Sequence, residues 1–370
     1  MKILHVTKKY PRALGGDAIV VHNLHRQQEA AGHQVAIVTS NCQEIIQAPN
    51  IYKFGLRDSS SRLDAITPKR ILSLLGLLFS MFAIIRKERP QVIHTHSVDM
   101  AFFASFAARF YKVPIVHTFH IVTFYDTNQS KLRRMTELWL AKQTRPARVT
   151  APNNYDVSKL KHGGLEQTLL LPNGIDDIFW RAEPIPRQDQ SFHFVSVGRL
   201  EQQKGLNYLI CAAATLRDRG VAPFRITIVG KGSRLASLQR LVKDLGVSDF
   251  VQFVGNRTPE ETRHILATAD AAVFASLYET TPLTLLEAWS MGVPVISTPV
   301  GIVRDAPEDF KAVHIVPLKN ESALADAMAE LMTNHALRRL IADSGKQQVA
   351  QYAWPHIALQ ADKVYRSVVV

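Results

Sequence analysis

Cysteine is nearly absent from this 370-residue chain, which carries only Cys42 and Cys211. No disulfide framework or cysteine-based metal cluster is indicated, and a reducing cytoplasm is the expected setting. Long apolar runs are also missing. The longest, Ile71 to Ile85, has 15 residues, against the roughly 20 that a membrane-spanning helix needs. The opening MKILHVTKKYP has too short an apolar run to read as a signal peptide. Asp-x-Asp occurs nowhere, so a metal-bridged diphosphate would have no obvious carboxylate pair. Acidic residues are scarce in one half only. Residues 1–175 hold 23 Lys+Arg against 11 Asp+Glu, a balance of +12, whereas residues 176–370 hold 21 against 21. A basic N-terminal half suits nucleic acid, an anionic membrane surface or acidic substrates, or is simply a solvated face. No interleaving of aromatic and basic residues supports nucleic acid.

What is present is alternation. KILHVT, QVAIVTS, VIHTHS, IVHTFH and RVTAPN read as strands in the first half, with helices expected near 18–31, 70–86, 98–111 and 131–143. In the second half HFVSVGR, RITIVGKG, FVQFVG, AAVFAS and PVISTPVG alternate with helices near 205–219, 233–245 and 259–267. Alternating βα units of this length imply an α/β chain with two doubly wound, Rossmann-like domains, their ligand crevice at the carboxyl ends of the strands. The expected boundaries are 1–172 for the first domain and 173–350 for the second. A helix in 351–370 is expected to pack back on the first domain, and 177–190, with two prolines, reads as the linker.

The stretch FASLYETTPLTLLEAWSMGVPV, residues 274–295, concentrates the chemistry. Thr281 suits an N-cap and Pro282 the first helical position, where no N–H is missed. Gly292 suits the C-cap, and Pro294 prevents continuation. Glu279 then sits in the strand-to-helix loop and Glu287 about one and a half turns into the helix. Backbone amides at that helix start form an anion site with two carboxylates beside it. Upstream, SVGRLEQQKG puts Arg199 and Lys204 at a strand's carboxyl end, where two cations can clamp one diphosphate. Without an Asp-x-Asp, such cations must neutralise a leaving diphosphate.

These segments, with IVGKGSRLASLQRL, VQFVGN, the Gly-Gly loop, VIHTHS, PIVHTFH and LPNGIDDIF, resemble the family 4 glycosyltransferases over essentially the whole chain. The resemblance implies retaining enzymes of GT-B fold, with two Rossmann-like domains facing across a cleft, 1–172 binding the acceptor and 173–350 the nucleotide sugar. It implies transfer of a sugar from a UDP-, GDP- or ADP-sugar donor to a glycan, small-molecule or lipid-linked acceptor. By it, the catalytic candidates are His120, Glu279, Arg199 and Lys204. Glu279 would hold hydroxyls of the donor sugar and Glu287 the nucleotide ribose, with Thr281, Pro282 and Leu283 at the phosphate-facing helix start. Gly15 and Gly16 would lie against the diphosphate and sugar, and Gly230, Val254, Asn256 and Arg257 near the nucleoside. Many members continue Gly-Phe-Gly after Glu279, whereas this chain has Thr280, Thr281 and Pro282, a change that bears on which sugar hydroxyls are read.

No cofactor and no metal is expected; His94, His96, His117 and His120 cluster on strand ends, but their spacing offers no tight ligand set. Alternative readings are an epimerase or phosphorylase on the same fold, or a non-enzymatic nucleic-acid binder. KRILSLLGLLFSMFAIIRK reads mainly as a core helix, while KLRRMTELWLAK places Leu132, Met135 and Trp139 on one face among cations, as an interfacial or a packing helix. Peripheral attachment at the inner membrane face is the corresponding expectation.

Overall fold

The computed structural model describes residues 1–10, 16–41, 49–53, 68–122, 130–180, 191–221 and 223–369. Contacts divide the chain into two units, Met1–Asn173 with Trp354–Val370, and Gly174–Ala353. In the first, strands β1 (Lys2–Lys9), β2 (Gln34–Asn41), β3 (Ile51–Lys53), β4 (Val92–Thr95), β5 (Ile115–Thr118), β6 (Arg148–Ala151) and β7 (Thr168–Leu170) alternate with helices. These are α1 (Gly16–Ala30), α2 (Pro68–Glu88), α3 (Val98–Tyr111), α4 (Lys131–Thr144) and α5 (Asn154–His162). The second unit holds α6 (Asp177–Trp180), β8 (Phe192–Val197), α7 (Leu206–Asp218), β9 (Phe224–Val229), α8 (Leu235–Asp244), β10 (Val251–Gly255) and α9 (Pro259–Ala267). It continues with β11 (Ala271–Phe274), α10 (Leu283–Ser290), β12 (Val295–Ser297), β13 (His314–Ile315), α11 (Glu321–Thr333) and α12 (His335–Val349). Helix α13 (Trp354–Arg366) belongs to the first unit.

The described strands pair in parallel throughout, in the orders β3-β2-β1-β4-β5-β6-β7 and β10-β9-β8-β11-β12-β13. Each order reverses direction once, between β1 and β4 and between β8 and β11. Ligands of doubly wound sheets bind outside the carboxyl ends at such a switch point. Residue alternation explains why helices cover both faces. Phe194, Ile226, Val273 and Ile296 join a core with α7 and α11, while their neighbours Val195, Ala272 and Val295 join another with α10. In the first unit Leu4, Val6 and Ile93 pack with α2 and α3, whereas Ile3, Val92 and Val116 pack with α1 and with Trp354, Ile357 and Tyr365 of α13.

Most expected helices appear within two residues of their ends. Helix α9 is capped at its start: Thr258 accepts from the Glu261 amide, the Glu261 carboxylate accepts from the Thr258 amide, and Pro259 follows the cap. Two assignments differ. Residues 177–180, expected as linker, form α6 with Phe179 buried in the second core, and 181–190 lie outside the described residues. The opening of α10 is also shifted, as described below.

Candidate active site

The β8/β11 switch point gathers the second unit's polar groups. After β8 ends at Val197, the Leu200 amide bonds the Lys231 carbonyl (3.0 Å) and the Leu200 carbonyl accepts from the Arg234 amide (2.9 Å). Glu201 accepts from both the amide (2.9 Å) and hydroxyl (2.6 Å) of Ser233. Those hydrogen bonds hold its carboxyl below the usual range. The loop is thereby pinned at both ends before the short turn Gln202–Lys204. Its tip is tied across to the segment after β11 by the Leu277 amide on the Gln203 carbonyl, at 2.7 Å.

This pinning brings Lys204 to Glu279. The ammonium lies 2.5 Å from the carboxylate, with side chains only 15% and 12% exposed, and Ser276 donates to the same carboxylate oxygen at 3.1 Å. Separate partners were expected for the two residues from the sequence, phosphate for one and sugar hydroxyls for the other. In the fold the two also form an ion pair with each other. Ser196, Val197, Gly198, Lys204, Phe274 and Ser276 line a small pocket there. Arg199, next in the chain to Gly198, is exposed.

Helix α10 begins one residue later than expected. Pro282, not Thr281, is the N-cap, with φ −70° and ψ 103°, and Leu283 is the first helical residue. The donors of the first turn are therefore the Leu283 and Thr284 amides, since Leu285 already bonds the Pro282 carbonyl at 3.0 Å. Thr284 Oγ1 is buried beside them with no hydrogen-bond partner among the described residues. Thr281 and Pro282 are buried, and Glu287 is half-buried on α10. At the other end Met291 is the C-cap. Gly292 follows it, its amide on Trp289 and that of Val293 on Ala288, a Schellman closure.

Gly230, Val254 and Asn256 extend the row along β9 and β10. A Cβ on Gly230 would stand 1.9 Å from the Gly198 carbonyl oxygen, so only glycine lets the β8 and β9 loops touch. Val254 is half-buried against the second core. Asn256 and Arg257 are exposed, and Arg257 pairs with Glu261 at 3.2 Å.

In the first unit the β1/β4 switch point is filled by histidines. Strand β5 stops at Thr118, so His120 lies just past it rather than in it. His120 Nε2 meets His96 Nδ1 at 3.0 Å, and its Nδ1 is buried with no partner among the described residues. Burial lowers its pKa, and the charge of Asp17 at the start of α1 opposes that. Gly16 begins α1, and Gly15 lies outside the described residues. His117 faces away and bonds Thr95 at 2.7 Å, and burial lowers its pKa to about 3.

His5 was missed from the sequence. Strand register sets it opposite His94, and ring nitrogens of His5, His94 and His96 come within 4.8 Å of one another. The spacing of His94, His96, His117 and His120 offered no such set. All six nitrogens of the trio are already hydrogen-bonded, to His96, Gln28, Tyr365, Thr118, His120 and His5. An ion would have to break several of these bonds.

Comparison with known proteins agrees with this layout. The family model described as "Glycosyl transferases group 1" matches residues 180–348, and that described as "Glycosyltransferase Family 4" matches residues 14–178. The chain is 28% identical to a glycogen synthase of Mycobacterium tuberculosis, over 99% of this chain and 94% of the relative. It is 35% identical to a D-inositol 3-phosphate glycosyltransferase of Corynebacterium urealyticum, over 51% of this chain and 45% of the relative. Among solved structures, sucrose-phosphate synthase from Thermosynechococcus elongatus superposes with a TM-score of 0.78 at 22% identity, over 99% and 98% of the two chains. This chain belongs to the family 4, group 1 glycosyltransferases and has their two-domain, Rossmann-like GT-B fold.

Proposed function

We propose that the chain is a retaining hexosyltransferase that moves a sugar from a nucleoside-diphosphate sugar to a glycan, small-molecule or lipid-linked acceptor in the cytoplasm. The carrying observation is the Lys204–Glu279 pair at the β8/β11 switch point, beside the first turn of α10. One member is a cation for phosphate oxygens and the other an acceptor for sugar hydroxyls. In the reaction the bond between sugar C1 and the diphosphate oxygen breaks, and a bond from the acceptor oxygen to C1 forms on the same face. The acceptor's proton leaves with the phosphate. Lys204, Arg199 and the Leu283 and Thr284 amides oppose the charge developing on the leaving group. A shift in melting temperature on screening UDP-, GDP- and ADP-sugars tests the reading and selects the base.

The two acids should fail differently. Glu279→Gln is expected to cut turnover with nucleoside diphosphate affinity nearly intact, and Glu287→Gln to weaken the nucleoside diphosphate itself. Because cations rather than a carboxylate pair face the diphosphate, we propose that no metal is required. Calorimetry and initial rates on wild type and both variants, with and without EDTA, check these points together. Equal losses of nucleotide affinity would overturn the division of roles, and EDTA-abolished turnover restored by magnesium would overturn metal independence.

We also propose attachment to an anionic membrane surface. No helix of the described residues is long and apolar enough to cross a membrane. Phe79, Phe110, Leu132, Met135 and Trp139 are all more than half exposed, on the adjoining helices α2, α3 and α4. Arg86, Lys87, Arg109, Lys131 and Lys142 stand exposed on the same helices. Each basic residue near an anionic leaflet contributes about 1 kcal/mol. Co-sedimentation with anionic vesicles is expected at low salt, and loss of it at high salt and in Lys131→Glu with Lys142→Glu. Equal recovery with neutral and anionic vesicles would leave these helices as sheet cover only.

A further inference from the structure

His120, the first unit's candidate for contact with substrate by the family resemblance, ends a continuous row of buried hydrogen bonds. The row runs through His96 and His5 to Gln28 on α1 and Tyr365 on α13. Its direction follows from the donors available. Gln28 lies with its amide oxygen 2.7 Å from His5 Nε2 and its amide nitrogen 3.1 Å from the Tyr365 hydroxyl. A carbonyl oxygen only accepts, so His5 carries its proton on Nε2. His5 is neutral, because burial lowers its pKa to about 4. Its Nδ1 is therefore an acceptor, and His96 Nε2 donates to it at 2.9 Å. His96 is also held neutral by burial, so its Nδ1 accepts from His120 Nε2 at 3.0 Å. The bare nitrogen of His120 is then Nδ1, the atom left buried without a partner.

The other arm obeys the same direction. The Tyr365 hydroxyl accepts from Gln28 and so donates to His94 Nδ1 at 2.7 Å, and His94 Nε2 donates to Thr118 at 2.6 Å. Thr118 and Thr150 hydroxyls meet at 2.5 Å. No member of the row needs a charge.

We propose that His96, His5, Gln28 and Tyr365 are positioning residues that fix the tautomer of His120, presenting Nδ1 to substrate as a hydrogen-bond acceptor. His120 then takes a hydrogen from a substrate hydroxyl and repels a carboxylate at the same place, since two acceptors cannot bond. This rests on the reading of His120 as a substrate-contacting residue. It adds a specificity rule: an analogue with a carboxylate, or with hydrogen in place of the contacted hydroxyl, is a poor substrate.

Nitrogen-15 NMR of the full chain labelled at histidine tests the row without substrate. The expected result is a protonated Nε2 and a bare Nδ1 on His120, kept in Gln28→Glu, which retains an acceptor for His5. Gln28→Leu should give mixed tautomers, with kcat falling between about twofold and tenfold, the loss of roughly one neutral hydrogen bond. A bare Nε2 on His120 in the wild type overturns the row's direction. Altered tautomers in Gln28→Leu with unchanged kcat overturn the substrate contact instead, so the two failures are separable. If Gln28→Leu does not fold, Tyr365→Phe, which frees the Gln28 amide to turn, serves in its place. Unaltered His120 tautomers in that variant also overturn the proposal.

Discussion

Lys204→Ala is expected to lower kcat by roughly 10²- to 10³-fold, the range for removing one preorganised donor from a developing anion. The side chain is only 15% exposed and sits at the end of a loop pinned by Ser233, Lys231 and Leu277, so it needs little reorganisation as charge moves to the diphosphate. Its removal also strips Glu279 of its cation, leaving Ser276 as a hydrogen-bond donor. A carboxylate stranded in a mostly buried place is a poor holder of sugar hydroxyls, so the two losses compound. Arg199→Ala should cost less, because Arg199 is exposed and water screens its charge. Lys204→Arg keeps the charge but replaces a point ammonium by a planar fork, and should recover only part of the rate. Steady-state kinetics on the three variants decides it. An Arg199→Ala defect larger than that of Lys204→Ala would mean that the exposed cation, not the paired one, carries the leaving group.

Gly230→Ala is expected to destabilise the second unit by about 4 kcal/mol, adding strain of about 1–3 kcal/mol at an unfavourable φ to overpacking of about 1–3 kcal/mol. The φ of Gly230 is +141°, and its Cβ would stand 1.9 Å from the Gly198 oxygen and 2.9 Å from the Gly198 carbonyl carbon, both backbone atoms that cannot turn aside. For a unit of this size the melting temperature should fall by about 10 °C. Gly220→Ala is the control, with φ +68° and open space around the added carbon, and should cost only the roughly 1–2 kcal/mol of a left-handed backbone. Calorimetry showing equal falls for both would mean that the close approach of the two loops is not what Gly230 protects.

Much of this layout was legible in the chain because its signals are local. Strands buried on both faces read as unbroken apolar runs, and Thr258-Pro259 with Glu261 marks a helix start wherever it occurs. The start of α10 was legible only to within one residue. A proline lacks an N–H and fits either at the cap or just after it, and only its ψ of 103° shows that the helix begins at Leu283.

By itself, the sequence determined two doubly wound domains, the cationic segment after β8, the two acids around α10 and the basic character of the first half. Each follows from residue type and spacing within about twenty positions. Tertiary structure alone decided which of these side chains meet. Lys204 and Glu279 each have a sensible ligand when read locally, and only parallel pairing of β8 with β11 makes them partners. His5 looks like an ordinary strand residue until register sets it against His94, and Tyr365 lies 271 positions from the histidine it bonds. No local pattern encodes such contacts, because strand order and the return of α13 are fixed by burial summed over the whole unit.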